Sequence, residues 1–486
     1  MKEIPIEQVQ ARLRGENPWW ESPQVGPSPF GELKPRPYLN LFYPLATDRK
    51  VRRAVVLLGP RRVGKTVLIH HAIQRLIQDG VAPLRICYAS IDHPLYNGLS
   101  LDDFLNIHRK ITGVDASKKE CFCFFDEIQY LRDWEIHLKA LVDHSPRMKC
   151  IASGSAAAAL RLKSHESGAG RFTDFLLPPL TFYEYLALLG KDDLVNVQTN
   201  GDGFGGQLST ADLPRLNEHF INYLNYGGYP EMAFSPEVQR DPGRFVKSDI
   251  IDKVLLRDLP SLYGISDVQE LNSLFTTLAY NTAGEVSLDA LSKGSGVAKN
   301  TIKRYMEYLE AAFLIRIVHR VDRSARRFRK ANFFKVYLTN PSMRTALFAP
   351  ISAQDEAMGA MVETAIFSQW FHSNMPLYYA RWPSGEVDIV CLGPDQKPSW
   401  ALEVKWSDRF PDHPEELRNL LRFCHEHNLT EAFATSRTIE RAVAKDSVTL
   451  WFKPAALACF GFGWSIIRAK HLFSGQSDRN RDTVEP

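Results

Sequence analysis

The chain has 486 residues, which at about 150 residues per domain implies three domains or so. Its 44% apolar, 24% charged and 11% aromatic content excludes a disordered, collagen-like or coiled-coil protein. Fifty-nine basic against 56 acidic side chains leave +3, so the chain as a whole is no electrostatic nucleic-acid binder, and only a local patch can be one.

The first 50 residues are rich in proline and aromatics, as in Asn17-Pro18-Trp19-Trp20 and Pro35-Arg36-Pro37-Tyr38, and show no helical or strand period. Residues 1–50 read as an extension that wraps a neighbouring domain. The segment 1–16 is too polar for a signal-peptide core, and apolar runs such as 54–58 fall far short of the roughly 18 residues a bilayer span needs. A cytoplasmic protein with no membrane partner is expected. Seven cysteines without a C-x-x-C pair, mostly in apolar runs, read as reduced core thiols.

From residue 53 to about 189, apolar runs at 54–58, 84–90, 121–125, 149–153 and 172–177 alternate with helical patterns, the signature of a parallel sheet with crossover helices. The domain is drawn as 51–199. Its first strand leads into Gly59-Pro60-Arg61-Arg62-Val63-Gly64-Lys65-Thr66, followed by Val67, at the start of a helix over 65–78. This fits G-x-x-x-x-G-K-[ST] in its proper strand-to-helix context. Backbone N–H groups turn inward on phosphates, Lys65 reaches the β and γ phosphates, and the Thr66 hydroxyl ligates Mg²⁺. ATP and Mg²⁺ are therefore the expected ligands.

The third strand ends Asp126-Glu127, where Asp126 would support the metal and Glu127 would orient and deprotonate water. A solvated strand end is the alternative for these two residues taken alone. The fourth strand ends Ser153-Gly154-Ser155, and Ser153 and Ser155 are candidates for sensing the γ-phosphate, although such residues also commonly begin a turn. Arg171 is a candidate γ-phosphate arginine, acting within the chain or across a subunit boundary in a homo-oligomer, with a surface arginine as the alternative.

These segments, with Phe124 to Leu131, Leu177 to Leu186 and Gly227-Gly228-Tyr229-Pro230, resemble the prokaryotic AAA-type P-loop ATPases that carry a C-terminal domain of unknown function. The resemblance runs from about Arg53 to Arg437. It implies a helical and winged domain after the ATPase. The glycine-dense stretch 201–206 is similar to an insertion relative to that pattern.

Residues 200–267 read as a linker and helical region, and 268–340 as a winged helix: three helices, then two short strands, with Ser287 as an N-cap. Lys299, Lys303 and Arg304 fall near the start of the recognition-like helix, where phosphates or base edges are met. Arg320, Arg323, Arg326, Arg327, Arg329 and Lys330 are opposed only by Asp322, so this run carries +5. DNA or RNA is one partner this would fit. A packing module with a solvated charged face is the other reading.

Residues 341–474 read as an α/β domain, with a helix over 356–371, strands over 377–382, 386–392 and 400–406, a helix over 414–427, and strands over 431–436 and 448–452. Residues 475–486 form a polar tail. At the strand period of two, Glu403 and Lys405 share a face, a neighbouring strand can bring Asp388 beside them, and Glu363 on the preceding helix can complete the group. Carboxylates so placed hold Mg²⁺ or Mn²⁺, and a lysine beside the metal polarises water for phosphodiester attack. Motif and element order are similar to the restriction-endonuclease-type fold of the D…E-x-K nuclease group.

The expected whole is α/β: a P-loop NTPase parallel sheet, a helical and winged-helix region, and a C-terminal restriction-endonuclease-like domain, forming an ATP-hydrolysing switch that acts on or near nucleic acid. The alternative is an ATP-dependent scaffold that binds a protein partner and carries an inactive nuclease-like domain.

Overall fold

The computed structural model describes residues 5–21, 30–115, 118–155, 158, 170–198, 207–265, 267–325, 332–373 and 375–479. The chain divides into two compact units, Met1–Leu177 and Pro178–Pro486.

In the first unit, the described strands Ala54–Leu58 (β1), Ile86–Ser90 (β2), Cys121–Asp126 (β3), Met148–Gly154 (β4) and Phe172–Leu176 (β5) form a five-stranded sheet in the order β2-β3-β4-β1-β5. Every pairing is parallel. β1 and β3 are buried along their whole length, which is why they read as unbroken apolar runs. The helix Lys65–Gln78 follows the glycine loop, with Leu68, Ile69, Ala72, Ile73 and Leu76 turned to the core.

The first 50 residues correct one expectation. They contain helices at Ile6–Glu16 and Leu39–Thr47, and they belong to the first unit. Asn17 accepts the Tyr88 N–H and donates to the Tyr88 carbonyl, both at 2.7 Å. Trp20 donates to the Ile86 carbonyl at 2.8 Å. Side chains thus satisfy the open edge of β2, which would otherwise expose a row of unpaired backbone groups.

In the second unit, an antiparallel pair, Asn196–Gln198 (β6) and Gln207–Ser209 (β7), precedes the helix Leu213–Tyr226. Then come the helix Val268–Tyr280, the strand Glu285–Ser287 (β8), helices Leu288–Ser295 and Lys299–Ala311, and strands Ile315–Val321 (β9) and Phe333–Leu338 (β10). Ser287 caps its helix by accepting the Ala290 N–H at 3.0 Å, as its position predicts. Strand β8 was absent from the sequence expectation.

The helix Met358–Ser368 leads into Leu377–Trp382 (β11), Gly385–Leu392 (β12) and Pro398–Glu403 (β13). The helix Arg418–Glu426 leads into Glu431–Ser436 (β14), Arg441–Lys445 (β15) and Val448–Pro454 (β16), and a helix spans Ala455–Arg479. Neither β15 nor this last helix was anticipated. Among the described residues, one nine-stranded sheet runs β15-β16-β14-β13-β12-β11-β9-β10-β8. Segments read separately from the sequence therefore share a sheet. The seam is short: β9 and β11 pair in parallel through Tyr379 with Arg320 and Ala380 with Val321. Leu420, Leu421, Phe423 and Cys424 of the Arg418–Glu426 helix pack on Val387, Val390, Ala432 and Leu450 of the sheet.

All seven cysteines are free and buried. No helix among the described residues is long and apolar enough to cross a membrane.

Candidate functional sites

The glycine loop is built where β1 meets its helix. A Cβ on Gly59 would lie 2.3 Å from the Leu177 carbonyl oxygen, so only glycine lets the loop pass. Gly64 has φ 90°, and Arg62 is also left-handed at φ 63°. Arg36 donates to the Val63 carbonyl at 2.7 Å and braces the loop from the N-terminal extension. Sequence reading missed this contact.

Lys65 is buried, and its ammonium donates to the Gly59 and Pro60 carbonyls at 3.1 and 2.9 Å. Burial pulls its pKa down, while Glu127 and Asp126 oppose that shift. The Thr66 hydroxyl donates to Asp126 Oδ2 at 2.7 Å. The two residues assigned to a metal are therefore adjacent, and their oxygen-only donor set suits Mg²⁺. Pro60, Arg61 and Val67 complete the run between strand and helix.

Asp126 has further partners that the sequence did not reveal. Tyr88 on the neighbouring strand donates to Asp126 Oδ2 at 3.0 Å, and the Ser153 hydroxyl donates to Oδ1. Tyr88 packs against His70, with ring centroids 4.6 Å apart, and burial lowers the His70 pKa to about 4, which keeps its ring neutral. An apolar strand carrying one tyrosine opposite the acid was the available signal.

Glu127 sits at φ 55°, just beyond β3. Its N–H donates to Ser153 Oγ at 3.1 Å, and its carboxylate accepts from the Gln129 amide. Ser153 thus bridges the two acids. The Ser155 N–H donates to Gln129 Oε1 at 3.3 Å, and its buried hydroxyl has no partner among the described residues.

Arg171 requires a correction. Its carbonyl accepts the Ala54 N–H at the start of β1, whereas the phosphate loop follows Leu58 at the other end of that strand. The parallel register of Ala54 with Phe172 places Arg171 at the opposite edge of the sheet, where its side chain pairs with Asp143. It cannot reach a γ-phosphate in its own chain. Arg171→Ala is expected to leave ATP turnover within about twofold of wild type, since an exposed ion pair is worth no more than about 1 kcal/mol. A loss of a hundredfold would place the residue in a neighbouring subunit's site.

In the second unit, the structure brings together all four residues expected to form a cluster. Lys405 Nζ lies 2.8 Å from Glu403 Oε1 and 3.6 Å from Asp388 Oδ2. Asp388 Oδ2 also accepts the Val404 N–H at 2.9 Å. The surprise is Lys335 of β10. Its ammonium sits 2.9 Å from Glu363, 2.6 Å from Glu386 and 3.5 Å from Asp388. Tyr337, two residues along the same strand, donates to Glu363 at 2.7 Å. A lone lysine in the apolar run Phe333–Leu338 was the only trace in the sequence.

Burial and the charge of Asp388 push the Glu363 carboxyl up to about 7 and that of Glu403 up to about 8. For Asp388, burial works upward but is outweighed by Lys335 and Lys405, so its pKa falls below the usual range. Among the described residues, no group of three or more His, Cys, Asp or Glu side chains is placed to hold a metal ion. The carboxylates surround two ammonium groups instead of one point. This corrects the expectation of Mg²⁺ or Mn²⁺ at this cluster.

The recognition-like helix buries Ile302, Tyr305, Met306 and Leu309, which leaves Lys299, Lys303 and Arg304 exposed. Each has a partner: Lys299 meets Asp289, Lys303 lies 4.0 Å from Glu307, and Arg304 donates to the Tyr308 hydroxyl at 3.3 Å. Arg326, Arg327 and Arg329 lie outside the described residues. Arg320 and Arg323 are engaged with Glu285 and Glu426.

Comparison with known proteins agrees with the first site. Residues 51–186 match a family model described as an AAA domain. The class is thereby set: an AAA-type P-loop ATPase domain occupies that stretch. Residues 217–355 match a second model, described as a domain of unknown function (DUF8612). An uncharacterized protein of Haemophilus influenzae is 24% identical over 372 residues, covering 75% of this chain and 85% of its own length. The uncharacterized protein MJ1637 of Methanocaldococcus jannaschii is 26% identical over 336 residues, covering 66% of this chain and 68% of its own. Among solved structures, S. cerevisiae Hsp104 in an extended complex with casein aligns at TM-score 0.29 and 17% identity, covering 60% of this chain and 53% of that one. Hsp104 with ADP gives TM-score 0.30 at 17% identity, covering 62% and 59%. The chain thus spans little more than half of those Hsp104 chains, and scores this low do not equate the overall folds.

Proposed function

We propose that the protein is an ATP-hydrolysing switch whose second unit carries a winged-helix segment and a nuclease-like α/β segment that act on or near nucleic acid. The observation that carries the ATPase reading is the Thr66–Asp126 pair at 2.7 Å beneath the glycine loop, with Glu127 next in sequence. Thr66 and Asp126 would hold Mg²⁺, which supplies charge neutralisation at the phosphates. Lys65 neutralises charge on the γ-phosphate, and Glu127 accepts the proton of the attacking water. Ser153 and Tyr88 fix the Asp126 carboxylate, and Gln129 fixes that of Glu127.

The winged-helix reading is supported by the order helix, strand, helix, helix, strand, strand from Val268 to Leu338, with β8, β10 and β9 in one antiparallel ladder. Lys299, Lys303 and Arg304 make exposed pairs of small value, which phosphates can replace at little cost. The nuclease-like reading is supported by the convergence of Glu363, Asp388, Glu403 and Lys405. A second reading, a scaffold for a protein partner with an inactive nuclease-like segment, is favoured by one observation: Lys335 lies among the acids.

The deciding experiment measures ATP turnover with single-stranded DNA, double-stranded DNA or RNA, in Mg²⁺ or Mn²⁺, and scores cleavage in the same tubes. The switch reading expects nucleic acid to change turnover by about threefold or more, in a salt-dependent way that charge reversal at Lys299 and Lys303 removes. Unchanged turnover with every nucleic acid would favour the scaffold.

A further inference from the structure

We propose that Lys335 is a resident cation holding the position that a divalent ion would take among Glu363, Asp388 and Glu403, so that the cluster binds a hard divalent cation only when this ammonium is withdrawn. The inference rests on reading the cluster as a cation-binding centre, and not on phosphodiester cleavage.

Three observations carry it. Lys335 is 3% exposed, and its ammonium touches acids of both the helix and β12: Glu363 at 2.9 Å, Glu386 at 2.6 Å and Asp388 at 3.5 Å. The site therefore already selects a cation. Glu403 Oε2 is enclosed without a hydrogen-bond partner among the described residues, so the cluster offers an acceptor that its two lysines leave unmet. A buried carboxylate oxygen in that state is costly, and an ion of higher charge would engage it. Third, Lys335 comes from β10, which reaches the cluster's own strands through β9, and β9 meets β11 in two residue pairs. The plug is thus supplied by the segment before the α/β part, across the shortest seam in that stretch of sheet. A displacement of β10 would remove the ammonium without disturbing β12 and β13.

The test is Mn²⁺ binding to the full chain at neutral pH without nucleotide, by calorimetry and by the spectroscopic signal of free Mn²⁺. Wild type, Lys335→Met, Lys335→Arg and the Lys335→Met/Asp388→Asn double variant are compared. Lys335→Met is expected to bind Mn²⁺ at least about tenfold more tightly than wild type, and to gain thermal stability from it. The double variant loses that binding, and Lys335→Arg, which keeps the charge, behaves as wild type. Asp388-dependent binding by wild type as tight as that of Lys335→Met would overturn the plug and leave the cation centre standing. No Asp388-dependent binding by Lys335→Met would overturn both. If Lys335→Met is too unstable to purify, Lys335→Gln, which keeps the chain length and a donor, is judged by the same outcomes.

Discussion

Glu127→Gln is expected to cut ATP turnover by about 10²- to 10⁴-fold while leaving ATP affinity within a few-fold of wild type, the span normally lost with a general base. The glutamine is isosteric, and the Ser153 bond to the residue 127 N–H does not depend on the side chain. The loop that grips phosphate, Gly59 to Thr66, is not altered. Lys65→Ala is expected to behave differently. It removes an ammonium held by the Gly59 and Pro60 carbonyls and lowers both affinity and turnover. Phosphate release and fluorescent-nucleotide anisotropy on the two variants separate binding from chemistry. Turnover at the original rate in Lys65→Ala would refute the assignment of the loop. Equal loss of affinity in both variants would mean that Glu127 serves binding and not the water.

Much of the first site was legible because its chemistry is local in sequence. A buried parallel strand is an apolar run, so the strand before the loop and the one before Asp126 could be drawn within a residue or two. What escaped was the support that comes from other strands. Tyr88 lies 38 residues before Asp126, and Ser153 lies 27 after it. Nothing in either segment names its partner; only the parallel register of β2, β3 and β4 does. The cluster in the second unit follows the same logic. The period of two placed Glu403 beside Lys405, and hairpin pairing placed Asp388 nearby. Lys335, 28 residues before Glu363 and 53 before Asp388, belongs to a segment read as a separate module. Short polar edge strands such as β8, with three residues, carry no run long enough to show a period. Arg171 failed for a related reason, because its place in the chain after β4 says nothing about which end of the sheet it occupies.

The acids of the second cluster are expected to respond oppositely to neutralisation. Asp388→Ala removes the carboxylate that faces both buried ammonium groups, Lys335 at 3.5 Å and Lys405 at 3.6 Å, and also frees the Val404 N–H. Breaking a buried pair from one side strands the opposite charge, which typically costs about 3–5 kcal/mol. Glu403→Gln should cost less than about 1 kcal/mol at pH 7, because burial and Asp388 already push this carboxyl up to about 8 and favour its neutral form. The amide keeps an oxygen for Lys405, and its nitrogen brings a donor to the position of the unpartnered Oε2. The sign follows from linkage. A carboxyl whose folded pKa is raised contributes stability fully present below its unfolded value near 4.5, and that contribution fades as the pH climbs through about 8. Glu403→Gln should therefore flatten the fall in stability between pH 6 and pH 9, relative to wild type. Hydrogen exchange in peptides covering Gly385–Leu392 and Pro398–Glu403, with chelator present, reads both effects locally. Equal loss of protection in the two variants would show that Glu403 carries its charge at neutral pH and that Asp388 has no special place between the lysines.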